Sequence, residues 1–81
     1  MMDKIKYLKS AIKSLENYDK DIRIRIISAI DKIPQGDIKR LKGEKYPSLY
    51  RLRVGKYRVI YHIEDGNIII AKVDSRGDIY K

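Results

Sequence analysis

The chain has 81 residues, with 19 Lys and Arg against 11 Asp and Glu and a formal net charge of +8. At this length one domain, 1–81, is the sensible count, and its core is thin, because such a chain buries only roughly 60–65% of its unfolded surface. There is no cysteine, which excludes a disulfide or thiolate-zinc brace and fits a reducing compartment. No apolar stretch approaches the roughly 20 residues that span a bilayer. The N-terminal MMDKIKYLKS lacks the apolar segment of a signal peptide, so a soluble, cytoplasmic protein with no membrane partner is expected.

A charge of +8 on so small a body favours polyanions and raises encounter rates with them. Nucleic acid is the commonest such partner. The aromatic set is seven Tyr with no Phe or Trp. Tyrosine offers a ring for packing or base stacking and a hydroxyl for hydrogen bonding. Some of the seven must nevertheless serve as core.

Residues 4–8 (KIKYL) predict a short strand with Ile5 and Tyr7 on one face. Ser10 reads as an N-cap, and 11–17 as a first helix with Ala11, Ile12 and Leu15 inward. Asn17 to Asp19 supply a break and a new cap. A second helix is predicted from about Lys20 to Ile33, its apolar stripe formed by Ile22, Ile26, Ile27, Ile30 and Ile33, with Arg23 and Arg25 off the stripe. Pro34 and Gly36 end it. The charged segment from Asp37 to Ser48, with Gly43 and Pro47, reads as an irregular linker pinned by Leu41.

The second half changes period. LYRLRV (49–54), YRVIYHIE (57–64) and NIIIAKVD (67–74) are rich in β-branched and aromatic residues. Gly55-Lys56 suits a type II′ turn, and Asp65-Gly66 is the strong type I′ signal. Two tight turns imply a three-stranded antiparallel meander, and SRGDIYK (75–81) reads as a short tail. The predicted fold is therefore α+β: a short N-terminal strand and a two-helix hairpin packed on a three- to four-stranded antiparallel sheet.

Strand alternation divides the meander into two faces. Leu52, Val59 and Tyr61 are assigned to the helices, and Ile69, Ala71 and Val73 are the more apolar set of the third strand. Arg51, Arg53, Arg58 and His62 are left on the open face. Like charges clustered on one sheet face repel, and a bound phosphate relieves that repulsion. Arginine suits the role because its planar fork grips phosphate bidentately.

The order Leu41-Lys42-Gly43, Leu49-Tyr50-Arg51-Leu52-Arg53, Tyr57-Arg58-Val59-Ile60-Tyr61, and then Arg76 with Tyr80 resembles the RelE/ParE superfamily of toxins from toxin–antitoxin pairs. The resemblance covers nearly the whole chain. It implies a RelE-like fold and, for the RelE branch, cleavage of messenger RNA in the ribosomal decoding site by attack of a 2′-hydroxyl on the adjacent phosphate, with no metal or other cofactor. The family's catalytic basic positions fall on Arg51, Arg53, Arg58 and Arg76, and its terminal tyrosine on Tyr80. Lys56, His62, Lys72 and Lys81 are candidate RNA contacts. The implied partners are the ribosome with its message and a cognate antitoxin.

Chemistry agrees with these roles. In-line attack builds negative charge on the phosphoryl oxygens, and fixed cations such as Arg51 and Arg58 stabilise it most in the transition state. Arg76 could neutralise the leaving 5′ oxygen, and Tyr80 could stack on a base. One departure matters: the position at which the RelE branch is thought to carry a lysine general base holds Arg53. Arginine keeps its proton at physiological pH and is a poor base. His62 is therefore a candidate proton acceptor. No His, Cys or carboxylate cluster resembles a metal site. The alternatives are a ParE-type inhibitor of DNA gyrase and a non-catalytic RNA- or ribosome-binding module.

Overall fold

A computed structural model describes residues 4–41 and 48–75. The elements run β1 (Ile5–Tyr7), α1 (Lys9–Glu16), α2 (Lys20–Asp31), β2 (Asp37–Arg40), β3 (Tyr50–Val54), β4 (Tyr57–Glu64) and β5 (Asn67–Ser75). The sheet order is β1-β5-β4-β3-β2, with β1 parallel to β5 and every other pairing antiparallel. The α+β class stands. The sheet is larger than expected, with five strands and one parallel pairing.

The extra strand comes from the segment read as linker. Asp37–Arg40 pairs with β3, placing Ile38 opposite Leu52. Ile38 packs on the core, while charge surrounds it in sequence and hides the strand signal. Leu41 is half-buried, and its N–H donates to the Leu49 carbonyl at 2.8 Å. Gly43 and Pro47 lie outside the described residues.

Both meander turns follow their sequence chemistry. Gly55 has a φ of +61° while Lys56 is not in the positive region, as a type II′ turn requires. Asp65 and Gly66 are both left-handed, at 53° and 79°, as type I′ requires.

The core lies between the helices and one sheet face. Ala11, Leu15, Ile26 and Ile30 meet Leu52, Val59, Tyr61, Ile70 and Val73, all buried. Ile22, Ile27 and Ile33 of the predicted stripe pack against this cluster. Ile12 does not, being largely exposed. Ser10 is inside α1 rather than its cap, and its hydroxyl donates to the Ala71 carbonyl at 2.7 Å, tying the helix to β5. Tyr7, Tyr18, Tyr50, Tyr57 and Tyr61 all lie in or against the core. Tyr50 stacks on Tyr61, and Tyr18 tilts against Tyr57. The described tyrosines are thus structural.

One irregularity decides the composition of the open face. The β4–β5 register shifts between Ile60 and Tyr61, so that Tyr61 opposes Ile70 while Ile60 opposes Lys72. Ala71 is the extra residue of this bulge. Beyond it, alternation in β5 reverses. Ile68, Ile70 and Val73 therefore face the core, correcting the expected set of Ile69, Ala71 and Val73. Lys72 and Asp74 turn to the open face.

Candidate functional site

The open face is built in rows across the strands. One row runs Asp37–Arg53–Arg58–Asp74 over β2, β3, β4 and β5. The next, two residues along, runs Lys39–Arg51–Ile60–Lys72. A third joins His62, Ile69 and Lys6. Each row is set by core residues in alternate positions: Leu52, Val59 and Val73, at 0–1% exposure, lie between the first two rows on the opposite face.

Arg51, Arg53 and Arg58 are thus on one face, as expected. Arg53 is directly opposite Arg58, a spacing of about 5 Å between Cβ atoms. Arg51 is diagonal to Arg58, about 7–8 Å away. Arg51 and Arg58 are half-buried, whereas Arg53 is exposed. The Arg51 Nε is buried and has no hydrogen-bond partner among the described residues. A phosphate oxygen is the kind of acceptor that would satisfy it.

The other candidates are placed differently. Lys72 is exposed on this face, with its Nζ 3.6 Å from Asp74 Oδ2. Lys56 sits in the β3–β4 turn with Nζ 5.7 Å from the Tyr57 ring centroid, leaning toward the helix side and away from the arginines. His62 is half-buried, with Nε2 3.3 Å from Glu64 Oε1. It shares the face but lies four residues along β4 from Arg58, about 13 Å. That distance separates it from any phosphate held at Arg58. Arg76, Tyr80 and Lys81 lie outside the described residues.

Three charged residues of the first two rows are not announced by the sequence pattern. Lys39 and Asp37 come from the unrecognised β2. Asp74 reaches the face through the bulge: regular pairing from the Asp65-Gly66 turn would have set Val73 opposite Arg58. Beyond the sheet edge, a cleft of about 470 Å³ between α2 and β3 gathers Arg25, Lys32 and Arg53 with Asp37, extending the positive surface. Among the described residues no group of three or more His, Asp or Glu is placed to hold a metal ion. No helix among them is long and apolar enough to cross a membrane.

A two-helix layer on this sheet, with arginines on the uncovered face, is the architecture of a small toxin of the RelE/ParE superfamily. Residues 5–80 match the family described as the ParE toxin of the type II toxin–antitoxin system parDE, and the chain belongs to this family of type II toxins. It is 33% identical to toxin RelE3 of Methanocaldococcus jannaschii over 85 residues, covering 95% of this chain and 94% of that protein. The RelE–RelB complex of Pyrococcus horikoshii contains a similar fold, with a TM-score of 0.76 and 31% identity over 95% of this chain and 98% of that one. The RelB–RelE complex of Methanococcus jannaschii gives a TM-score of 0.76 at 30% identity, covering 93% of this chain and 94% of that one.

Proposed function

We propose that this toxin is a ribosome-dependent endoribonuclease that cleaves messenger RNA without a metal ion. The observation that carries the reading is the convergence of Arg51, Arg53 and Arg58 on one open sheet face, with Arg53 and Arg58 directly paired. Such a face is unfavourable empty and favourable around a phosphate.

In the proposed reaction a 2′-hydroxyl attacks the adjacent phosphate and the 5′ oxygen leaves. Arg58 and Arg51, held at half-buried positions, stabilise the charge that grows on the phosphoryl oxygens. Arg53, exposed and directly opposite Arg58, fixes the incoming backbone. By the family resemblance Arg76 neutralises the leaving oxygen and Tyr80 orients the base. Lys72 and Lys81 add RNA contacts, with Lys56 and His62 at the periphery. The proposed compartment is the cytoplasm, where ribosomes and message are found.

The proposed protein partner is a cognate antitoxin. The similar toxins from P. horikoshii and M. jannaschii were solved as RelE–RelB complexes, which supports a partner of that kind here. An acidic antitoxin segment laid over the arginine rows would offset the same repulsion that phosphate relieves.

Expression of the toxin followed by primer-extension mapping of a translated message tests the reading. Cuts confined to translated regions are expected. Intact message beside arrested growth would sink the nuclease reading. Gyrase-dependent DNA damage would instead favour a ParE-type action, which the matched family's description keeps in view. Ribosome binding without cleavage would identify a non-catalytic module.

A further inference from the structure

We propose that Asp74 is the proton acceptor for the attacking 2′-hydroxyl. This rests on the nuclease reading and fills its open step, since Arg53 cannot act as a base at neutral pH.

Asp74 is the direct cross-strand neighbour of Arg58, about 5 Å away between Cβ atoms, on the face that carries the arginines. Its side chain is only 15% exposed. One oxygen, Oδ2, lies 3.6 Å from Lys72 Nζ. The other, Oδ1, is buried and accepts no hydrogen bond among the described residues. A buried carboxylate oxygen without a donor is an unusual expense in a folded protein. A ribose hydroxyl beside an Arg58-bound phosphate would supply that donor.

The other acceptors on this face are worse placed. His62 is about 13 Å along β4 from Arg58. Asp37 is exposed on the edge strand and two strands from Arg58, about 10 Å. The charged groups that face Asp74 are Arg58 from β4, Lys72 within β5 and, further along its row, Arg53 and Asp37. Three of these four groups are cations.

The 2′-hydroxyl proton passes to Asp74 Oδ1 while the 2′ oxygen forms a bond to phosphorus. The bond from phosphorus to the 5′ oxygen breaks with its electron pair, and that oxygen takes a proton from solvent. The products are a 2′,3′-cyclic phosphate and a 5′-hydroxyl. Asp74 then returns its proton to solvent.

The test uses the full chain with ribosomes carrying a short message. Single-turnover cleavage is followed across pH for wild type, Asp74→Asn, Asp74→Ser and Asp74→Glu, with folding checked by circular dichroism. Binding is measured with a message carrying one 2′-deoxy nucleotide at the cut site. Loss of the base is expected to slow Asp74→Asn and Asp74→Ser by about 10²–10⁴-fold. Binding of the 2′-deoxy message should stay unchanged, and the rise of rate with pH expected of wild type should disappear. Asp74→Glu, which keeps the carboxylate, should recover part of the rate. A folded Asn or Ser variant that cuts at the wild-type rate overturns the proposal. So does a slowed variant that keeps the wild-type rise with pH, because the carboxylate would then only be holding Arg58. No cutting by wild type is a different result: it refutes the nuclease reading itself.

Discussion

Arg53 and Arg58 oppose each other across β3 and β4, bracketed in the same row by Asp37 and Asp74. Two like charges at this spacing cost roughly 0.2–1 kcal/mol, and the flanking carboxylates offset part of it. The two Cβ positions cannot move apart, because Leu52 and Val59, opposed one position over, are anchored in the core at 1% and 0% exposure. Repulsion is thus held ready for an anion by the packing on the other side of the sheet.

Removal of one fixed cation from a phosphoryl transition state typically slows chemistry about 10²–10³-fold. Arg58→Ala and Arg51→Ala should each show a loss of that size in single-turnover cleavage on ribosomes, with circular dichroism unchanged. Arg58→Lys should fall between, since it keeps the charge but loses the bidentate fork. Wild-type cleavage by both alanine variants would refute the assigned site.

Lys39 and Lys72 end the second row and are exposed. Each is expected to contact phosphate without reading sequence. Replacing either by Ala should lower the slope of log affinity against log salt for single-stranded RNA by about 0.7. A titration series at four salt concentrations measures this. An unchanged slope in both variants would place the RNA elsewhere.

Gly36, between α2 and β2, has a φ of +122°, and a Cβ there would lie 3.0 Å from Leu52 Cδ1. Leu52 is 1% exposed and cannot yield easily. Gly36→Ala should therefore cost about 1–3 kcal/mol. At this chain length each kcal/mol lowers the melting temperature by about 4–8 °C. Gly55, also left-handed but facing open space, should cost less on conversion to Ala. Thermal melts of the two variants compare them, and equal shifts would contradict the packing argument.

Burial, and secondarily the Asp31 carboxylate, raises the Tyr7 phenol above its usual 10.0. Burial, and secondarily Tyr50, does the same for Tyr61. Unfolded, both ionise near 10. Above that pH the unfolded state has released protons that the folded state still holds, so stability falls as pH rises further. It is complete below about pH 10 and is lost as pH climbs through the folded values. Urea midpoints measured across the alkaline range should decline, and Tyr7→Phe should soften the decline. A flat profile would show that neither phenol is protected.

Composition and local pattern determined much of this protein on their own. The isoleucine spacing of α2, the Gly55-Lys56 and Asp65-Gly66 turns and the arginine alternation of β3 and β4 are local properties, set by backbone preference and side-chain period. They sufficed for the helical hairpin, the meander and the cationic face. The motif order from Leu41 to Tyr80 sufficed for the superfamily. What tertiary structure alone decided depends on pairing between distant residues. Asp37–Arg40 becomes a strand because β3 offers an open edge and Ile38 finds the core, which a run of charged residues does not announce. β1 becomes parallel to β5 only after the helices carry the chain back across the sheet. Asp74 stands beside Arg58 because one residue, Ala71, bulges out of the ladder and reverses the alternation beyond it. A period-2 reading sends that carboxylate to the wrong face. A single inserted residue moves every later side chain across the sheet, and only the pairing partner reveals where it occurs.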